Sequence, residues 1–315
     1  MFRTPQPQAA ISISGDGIAA VGLTGTTGRP SISVKEVVPL ERGVVMPSMT
    51  SSNIIDRKSV AVVLNQILTK YKTRPTRVAM VLPDAVAKVT LLTFDTVPER
   101  GEDLAQLIRL KVQKSTPFNL DEAQLSYIDC GKNIDKQMQF LAVLVQKSVL
   151  NEYENICNDA GLHVGRVDLT SLNLINANLY TNRNQQIGDW MLVHVAQHYN
   201  TVTVVRSKQI IFYRSQTADP DHSLEDFIHQ TTMYYEDRLV GNGISHVVFA
   251  VSSIENIAES IESVFEQAFK DSPNVIFEQV GEKLSTAINN VGQVPISKLD
   301  SLAAPIGILL RDRHD

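Results

Sequence analysis

The order of hydrophobic patterns along the chain predicts an α/β protein made of two similar lobes, with a smaller subdomain inserted in the first lobe. Three observations lead to this prediction. A pattern of three strands, a helix and a further strand occurs near the start of the chain and begins again after a polar gap at residues 181–188. Between the two copies lies a run typical of a helix followed by two strands. The length of 315 residues also fits about two domains.

The first copy starts with strands predicted at residues 9–14 and 17–23, joined by a tight Gly-Asp turn, and at residues 32–38. Asp56 is placed to cap a helix whose apolar residues recur at the helical period, namely Val60, Val63, Leu64, Ile67, Leu68 and Tyr71. The run VAMVL at residues 78–82 is apolar throughout, which indicates a strand buried on both faces.

The inserted run begins with a strand predicted at residues 85–94. A helix follows at residues 102–114, and Pro117 prevents its continuation. Its apolar positions have the helical period and are Leu104, Leu107, Ile108 and Val112. Two strands are predicted next, at residues 124–130 and 138–145. Two helices then return the chain to the first lobe, one ended by Gly161 and one at residues 168–180.

The second copy repeats the order of the first. Its strands are predicted at residues 190–195, 201–206, 209–214, 247–251 and 275–280. The helices between them have their apolar positions at Leu224, Phe227, Ile228, Thr231 and Tyr235, and at Ile257, Ile261, Val264, Phe265 and Ala268. A duplicated sheet covered by helices is typical of the actin/Hsp70/sugar-kinase fold; a generic two-domain α/β protein is the alternative.

Composition excludes several classes of protein. Hydrophobic residues make up 43% and charged residues 20%, which favours a packed globular chain over a disordered one. The net charge of −5, without a basic stripe, argues against nucleic-acid binding. Cys130 and Cys157 are too few for a disulfide framework, so we expect buried thiols in a reducing, cytoplasmic compartment. Neither a transmembrane helix nor a signal peptide is predicted.

Several stretches resemble the PilM family of actin-like type IV pilus assembly proteins. The most specific is VPERGEDLAQLIRLKVQKSTPFNLDEAQLSYI at residues 97–128. The runs at residues 39–68, 78–94, 151–177 and 304–312 are similar to that family in the same order. The resemblance implies an actin-like fold with an inserted subdomain of the FtsA/PilM type.

The resemblance also implies a division of the chain. Residues 9–84 together with 161–184 would form the first lobe, residues 85–160 the insertion, and residues 187–315 the second lobe. In actin-like proteins one hairpin turn per lobe binds the nucleotide phosphates, each commonly with an Asp two residues before a Gly.

Both phosphate turns depart from that pattern. Ser12 stands at the Asp position of the first turn and Ser14 at the Gly position, while Asp16 lies at the tip. The second turn has His194 and Ala196 at these positions. The segment at residues 218–222 replaces the family's Gly-Gly pair. The resemblance therefore implies a degenerate site without ATP or magnesium as cofactor, although ATP with magnesium stays the alternative.

What remains of the first phosphate turn is Ser14, Gly15 and Gly17, which form either a residual phosphate-binding nest or a plain hairpin turn. His194 and His198 are a weak metal pair, and satisfied or surface histidines are the simpler interpretation. No catalytic or metal-binding motif is present.

By resemblance, the chain is expected to be a non-catalytic cytoplasmic scaffold of type IV pilus assembly or related type II secretion. Its partner would be a PilN-like inner-membrane protein, bound through its cytoplasmic N-terminal peptide, which would hold the chain at the membrane. The family's groove lies between the insertion and the first lobe. Groove candidates are Val89, Leu91, Leu104, Ile108 and Val112, although the last three also fit a plain core stripe.

Proteins of other classes remain as alternatives. One is an actin-like ATPase of the same machinery or a small-molecule kinase, which would need intact phosphate turns and a catalytic Asp. Another is an FtsA-like division protein, for which the C-terminal run GILLRDRHD is too short to supply a membrane helix. The cytoplasmic domain of GspL is a further resemblance, since it is also actin-like and lacks a convincing nucleotide site.

Overall fold

Two five-stranded sheets of identical topology form the frame of the molecule. The structure is a computed structural model that describes residues 7–26, 29–183, 188–219, 223–252, 258–270, 274–292 and 294–311. The first sheet has the strand order β3-β2-β1-β4-β8 and the second β11-β10-β9-β12-β13. In each sheet three successive strands pair in antiparallel hairpins, and two further strands run parallel to the first of them, so the second sheet repeats the first strand for strand.

The first sheet consists of β1 (Ala9–Ile13), β2 (Gly17–Thr26), β3 (Arg29–Pro39), β4 (Arg77–Leu82) and β8 (His163–Leu169). Helices α1 (Arg57–Leu68) and α3 (Lys147–Asp159) cover its outer face. Asp56 caps α1 as expected, because its carboxylate accepts hydrogen bonds from the N–H groups of Lys58 and Ser59.

The second sheet consists of β9 (Trp190–Val195), β10 (Tyr199–Arg206), β11 (Gln209–Thr217), β12 (His246–Val251) and β13 (Ile276–Gln279). Its outer face is covered by α5 (Leu224–Arg238) and α6 (Ala258–Ala268). Between the two sheets lie α4 (Thr170–Thr181), α7 (Val280–Ala287) and α8 (Ile296–Leu310), whose apolar side chains form one continuous core with both inner faces. The lobes are therefore joined by a shared layer of helices.

The insertion is a three-stranded antiparallel sheet with one helix. Its strands are β5 (Ala87–Phe94), β6 (Ala123–Lys132) and β7 (Met138–Gln146), in the order β5-β7-β6. Helix α2 (Gly101–Val112) packs on one face of this sheet. The opposite face turns toward the first lobe, with Leu141 and Val143 of β7 packing against the lobe cores.

Three elements are absent from the sequence prediction. Strand β8 was not expected, and the helix predicted from residue 168 begins only at Thr170, because Asp168 and Leu169 still pair with β4. Helices α7 and α8 were also missed, although the apolar run at residues 307–310 lies within α8. Ile257, part of a predicted helix face, and residues 184–187 of the polar gap lie outside the described residues.

The division of the chain into residues 9–84 with 161–184, 85–160 and 187–315 stays a prediction. The contacts of α8 cross this division, because α8 lies at the end of the presumed second lobe but packs against α4, β1 and β2 of the first. Within the residues that the structure describes, no helix combines the length and apolar character needed to cross a bilayer.

Candidate functional site

The two hairpin turns expected to hold phosphates face each other at the base of the cleft between the lobes. The first is a two-residue turn closed by hydrogen bonds between the backbones of Ser14 and Gly17. The second is closed in the same way, as the N–H of Ala196 donates to the carbonyl of Tyr199 at 3.0 Å. The duplicated sheets thus place Ser14, Gly15 and Gly17 in a hairpin turn that faces the second turn.

The turns touch, and little space is left between them. A Cβ on Gly15 would lie 2.4 Å from Cδ2 of His198, so the imidazole packs directly on the first turn. The cavity bounded by both turns has a volume of about 30 Å³. Ligand pockets are commonly about 300–1,000 Å³, so this cavity is about an order of magnitude smaller than a usual ligand site.

The carboxylate of Asp84 joins the two lobes beside this cavity. Asp84 lies between β4 and β5, where it accepts hydrogen bonds from the N–H and hydroxyl of Ser171 at 3.0 and 2.9 Å. Its other oxygen accepts a hydrogen bond from Thr201 of the second lobe at 2.9 Å. The side chain is 1% exposed. A buried carboxylate with donors from both sides resists separation of the lobes, because opening would leave its oxygens unpaired.

The hydrogen bonds of Asp84 with Ser171 and Thr201 are called the Asp84 clasp below. His194, which stands where the resembled family has an acid in the second turn, is buried beside this clasp. Its Nδ1 lies 3.6 Å from Oδ2 of Asp84, and its Nε2 lies 3.0 Å from Oγ of Ser252. Its ring packs edge to face on Tyr199 at 5.4 Å. Burial raises the pKa of Tyr199 well above its usual value, with the Asp84 charge adding to the effect. Side chains of both lobes, namely Asp84 of the first and His194 and Tyr199 of the second, therefore pack together beside the cavity between the two turns.

A larger and apolar groove separates the insertion from the first lobe. Its volume is about 290 Å³. One wall is the inner face of the insertion sheet, formed by Ser126, Ile128, Cys130, Leu141 and Val143. The facing wall belongs to the first lobe and consists of Val167, Leu169, Leu172, Ile175, Asn176 and Leu179. The groove is thus formed by elements far apart in the sequence.

The groove lining also includes charged side chains. Lys208, at the tip of the β10–β11 hairpin, and Asp129 of β6 line it together with Asp168 and with Arg311 at the end of α8. Arg311 pairs with Asp168 at 3.1 Å. Burial raises the pKa of Asp168, although the Leu169 N–H and the Arg311 guanidinium act in the opposite direction. The remaining lining is mostly aliphatic, which suits an apolar segment with a polar end.

A third opening, of about 560 Å³, lies where the insertion, the second lobe and residues 46–50 of the first lobe meet. Its lining includes many hydroxyl and amide groups, namely Ser48, Thr50, Tyr213, Ser215, Gln216 and Thr217. Val89 of the insertion also faces it. Its polar walls make it a poorer match for an apolar peptide than the groove beside the first lobe.

The structure corrects the groove residues expected on α2. Leu104, Ile108 and Val112 are 7%, 0% and 1% exposed and form the core between α2 and its sheet, as the alternative interpretation held. They therefore offer no groove surface. Val89 and Leu91 are partly buried on the other face of the insertion and pack against the lobe cores. The walls found instead, on α4, β6, β7 and β8, carried no motif that could have identified them.

The other candidates from the sequence are two cysteines, two histidines and the segment 218–222. Cys130 and Cys157 are free and buried, and burial raises the pKa of Cys157 to about 12. His194 and His198 do not join a metal-binding cluster, since no group of three or more ligating side chains occurs within the described ranges. Of the segment 218–222, residues 220–222 lie outside the described residues.

Comparisons with known proteins agree with this architecture. The model of the family described as type IV pilus assembly protein PilM matches residues 10–238. The structure of a PilM-PilN type IV pilus biogenesis complex matches with a TM-score of 0.77 at 12% identity, covering 98% of this chain and 99% of that chain. The comparison with curated protein sequences gave no match.

Two further solved structures support the same fold. A Bacteroides thetaiotaomicron protein with an actin-like ATPase fold and unknown function matches with a TM-score of 0.50 at 13% identity, over 89% of this chain and 91% of that chain. The cytoplasmic domain of EpsL, an inner-membrane component of the Vibrio cholerae type II secretion system, also gives 0.50, at 10% identity over 89% and 93%. The fold is therefore actin-like, as the sequence predicted.

Proposed function

The chain belongs to the PilM family of type IV pilus assembly proteins, and on that premise we propose that it is a non-catalytic scaffold that binds the cytoplasmic N-terminal peptide of a PilN-like inner-membrane protein. The peptide would occupy the groove between the insertion and the first lobe. In this proposal the partner holds the chain at the cytoplasmic face of the inner membrane.

The observation that carries the proposal is the groove itself. It is apolar, open at the surface and about 290 Å³ in volume, which is enough for a few aliphatic side chains. Ile128 lines the groove and is 39% exposed, so its side chain is accessible to a bound segment. A complex of a PilM with a PilN has the same fold, which supports a partner of this kind.

The absence of catalysis is supported by the state of the nucleotide cleft. His198 packs on Gly15, and Ser12 and His194 stand where the fold family has magnesium-associated acids. Magnesium requires oxygen ligands in near-octahedral geometry, and neither position supplies a carboxylate. The clasp of Asp84 with Ser171 and Thr201 holds the lobes together without a nucleotide. We therefore propose that neither ATP nor magnesium is needed for the scaffold.

The binding test is a titration of the full chain with a labelled peptide from the N-terminus of the membrane protein encoded beside it. We expect saturable binding, and Ile128→Asp should weaken it about 10-fold or more, because a charge then has to be buried in an apolar groove. Fluorescence anisotropy measures both affinities.

The matched control is Ile134→Asp. Ile134 is 54% exposed in the same β6–β7 hairpin but does not line the groove. This variant should bind the peptide as the unaltered chain does. Absence of binding by a correctly folded unaltered chain would remove the scaffold proposal, and equal losses in both variants would exclude this groove as the site.

The cleft is tested by calorimetric titration with ATP and magnesium. We expect no saturable binding at micromolar concentrations, because the contact of His198 with Gly15 leaves no room for phosphates. Binding at micromolar or lower concentration would favour the alternative of an ATP-binding protein of the same machinery. A paired measurement of peptide affinity with and without ATP then shows whether the two sites influence each other.

A further inference from the structure

The outer edge of β6 is an unpaired sheet edge beside the groove. Among the described residues, β6 pairs with β7 only, so it ends the sheet order β5-β7-β6. In an antiparallel edge strand, alternate residues direct both their N–H and their C=O groups away from the sheet. This edge therefore presents a row of hydrogen-bonding groups along the mouth of an apolar groove.

The other edge strand of the same sheet, β5, is covered by the lobes. Strand β11 of the second lobe lies against β5 and also contacts β6, and β5 packs into the lobe cores through Val89 and Leu91. Proteins commonly protect free edges with Lys, Pro or a bulge. The stretch Gln124–Ile128 contains none of these, and the irregular register of β6 begins only after Asp129.

The free part of the β6 edge is limited at one end by a side chain of the second lobe. At its far end the Gln209 side chain sits on Gly131, where a Cβ would lie 2.3 Å from Nε2 of Gln209. The β10–β11 hairpin of the second lobe thus closes the edge beyond Cys130. The stretch from Gln124 to Asp129 remains, about 20 Å at the usual rise of a strand.

Side chains of the free stretch alternate between the two faces of the sheet. Leu125 and Tyr127 pack toward α2, whereas Gln124, Ser126 and Ile128 are exposed and line the groove. A strand added at this edge would place every second side chain into the groove above α4. Its backbone would at the same time satisfy the unpaired groups of β6.

We propose that the partner segment binds as an added strand on the outer edge of β6, between Gln124 and Asp129, with alternate apolar side chains in the groove. This inference rests on the proposed function, since it specifies how the peptide occupies that groove. An extended segment fits because its backbone polar groups need partners once the side chains are buried, and the edge supplies them. A helical segment satisfies its own backbone and would leave the β6 edge unpaired.

The test uses the full chain and the same labelled peptide, carrying a single N-methyl group at each backbone amide in turn. N-methylation removes one donor and leaves the side chains unchanged. Strand addition predicts an alternating pattern, in which every second peptide loses about 10-fold or more in affinity and the intervening ones change little. Hydrogen exchange should also show that the peptide protects alternate amides within Gln124–Ile128.

The outcomes separate this inference from the function that it rests on. If the unmodified peptide does not bind, the proposed function fails. If it binds but the N-methyl series shows no alternation and the β6 amides are not protected, strand addition is wrong while the scaffold proposal stands. Protection of β5 amides instead of β6 amides would likewise overturn the assignment of the edge.

Discussion

Asp300 of α8 is a buried carboxylate with three donors around it. It accepts hydrogen bonds from the N–H of Val251 at 2.8 Å, from Nε2 of Gln279 at 2.7 Å and from the N–H of Gly281 at 2.8 Å. Burial raises its pKa to about 6, although these donors oppose the rise. Desolvation therefore outweighs hydrogen bonding at this site.

The raised pKa gives stability a pH dependence of known sign. The folded protein holds the Asp300 proton more tightly than the unfolded chain, so this stabilising contribution is complete below pH 3.8 and is lost as the pH rises through about 6. The difference in unfolding free energy between the unaltered chain and Asp300→Asn should fall by about 1 kcal/mol from pH 5 to pH 8. Chemical denaturation at several pH values measures it.

Asp56→Asn is the control for this measurement. Hydrogen bonds from the side chain and backbone of Ser59 lower the pKa of Asp56, which is exposed at the start of α1. A lowered pKa gives stability that is present above the unfolded value and lost as the pH falls through the folded one, so no change is expected from pH 5 to pH 8. A difference for Asp300→Asn that is constant over this range would contradict the expectation.

Among the elements, α4 and α8 make the closest helix contact. A Cβ on Gly307 would lie 1.9 Å from the carbonyl oxygen of Asn173, so the helix backbones touch at this point. Small residues permit such an approach, and the sequence of α8 places Ala303, Ala304 and Gly307 on buried positions. The close packing makes α4 and α8 part of the one core that both sheets share.

Gly307→Ala should therefore destabilise the protein by about 1–3 kcal/mol, because the added methyl group forces the two helices apart. Gly101→Ala is the control, since its Cβ would meet only the Tyr127 hydroxyl at 3.6 Å, an ordinary contact. The control should stay within about 1 kcal/mol of the unaltered chain. Thermal unfolding compares the three proteins, and equal stability of both variants would show that α8 can shift without cost.

At the scale of the whole molecule, the chain ends are interlocked. Helix α8 packs on β1 and β2 of the first lobe although it follows the second lobe in sequence. The backbone of Asn289 also pairs with β3, as its carbonyl accepts a hydrogen bond from the N–H of Ile32 at 3.0 Å. The lobes therefore share their core, and neither is complete without the other.

Removal of residues 296–315 should abolish cooperative unfolding of the first lobe. Six large aliphatic side chains of α8 are buried, namely Leu299, Leu302, Ile306, Ile308, Leu309 and Leu310. Each contributes about 1.5–3 kcal/mol, and the sum approaches or exceeds the 5–15 kcal/mol that typically stabilises a protein. Removal of residues 312–315 alone should be tolerated. Hydrogen exchange at β1 and β2 distinguishes the two, and protection retained without α8 would contradict the interlocked arrangement.

Periodicity and turn chemistry in the sequence were enough for most elements, whereas the family was identified by the resemblance of residues 97–128 and the runs around it. The cap at Asp56, the turn before Gly17 and the alternating strands depend on near neighbours, so local patterns identify them. Strand β8 was missed because HVGRVDL alternates weakly and runs directly into α4. Helix α8 was missed because residues 302–310 are all buried, which leaves that part of the helix without a polar face to reveal its period.

Residue type and order were sufficient to predict two related halves with an insertion, and to show that Ser12, His194 and Ala196 depart from the turn pattern of the resembled family. The contact of His198 with Gly15, the hydrogen bonds that join Asp84 to Ser171 and Thr201, and the groove between β6 and α4 became visible only in the folded chain. The stripe of Leu104, Ile108 and Val112 shows why: a pattern reveals that a face is buried, but not what covers it. That depends on contacts between residues far apart in the chain.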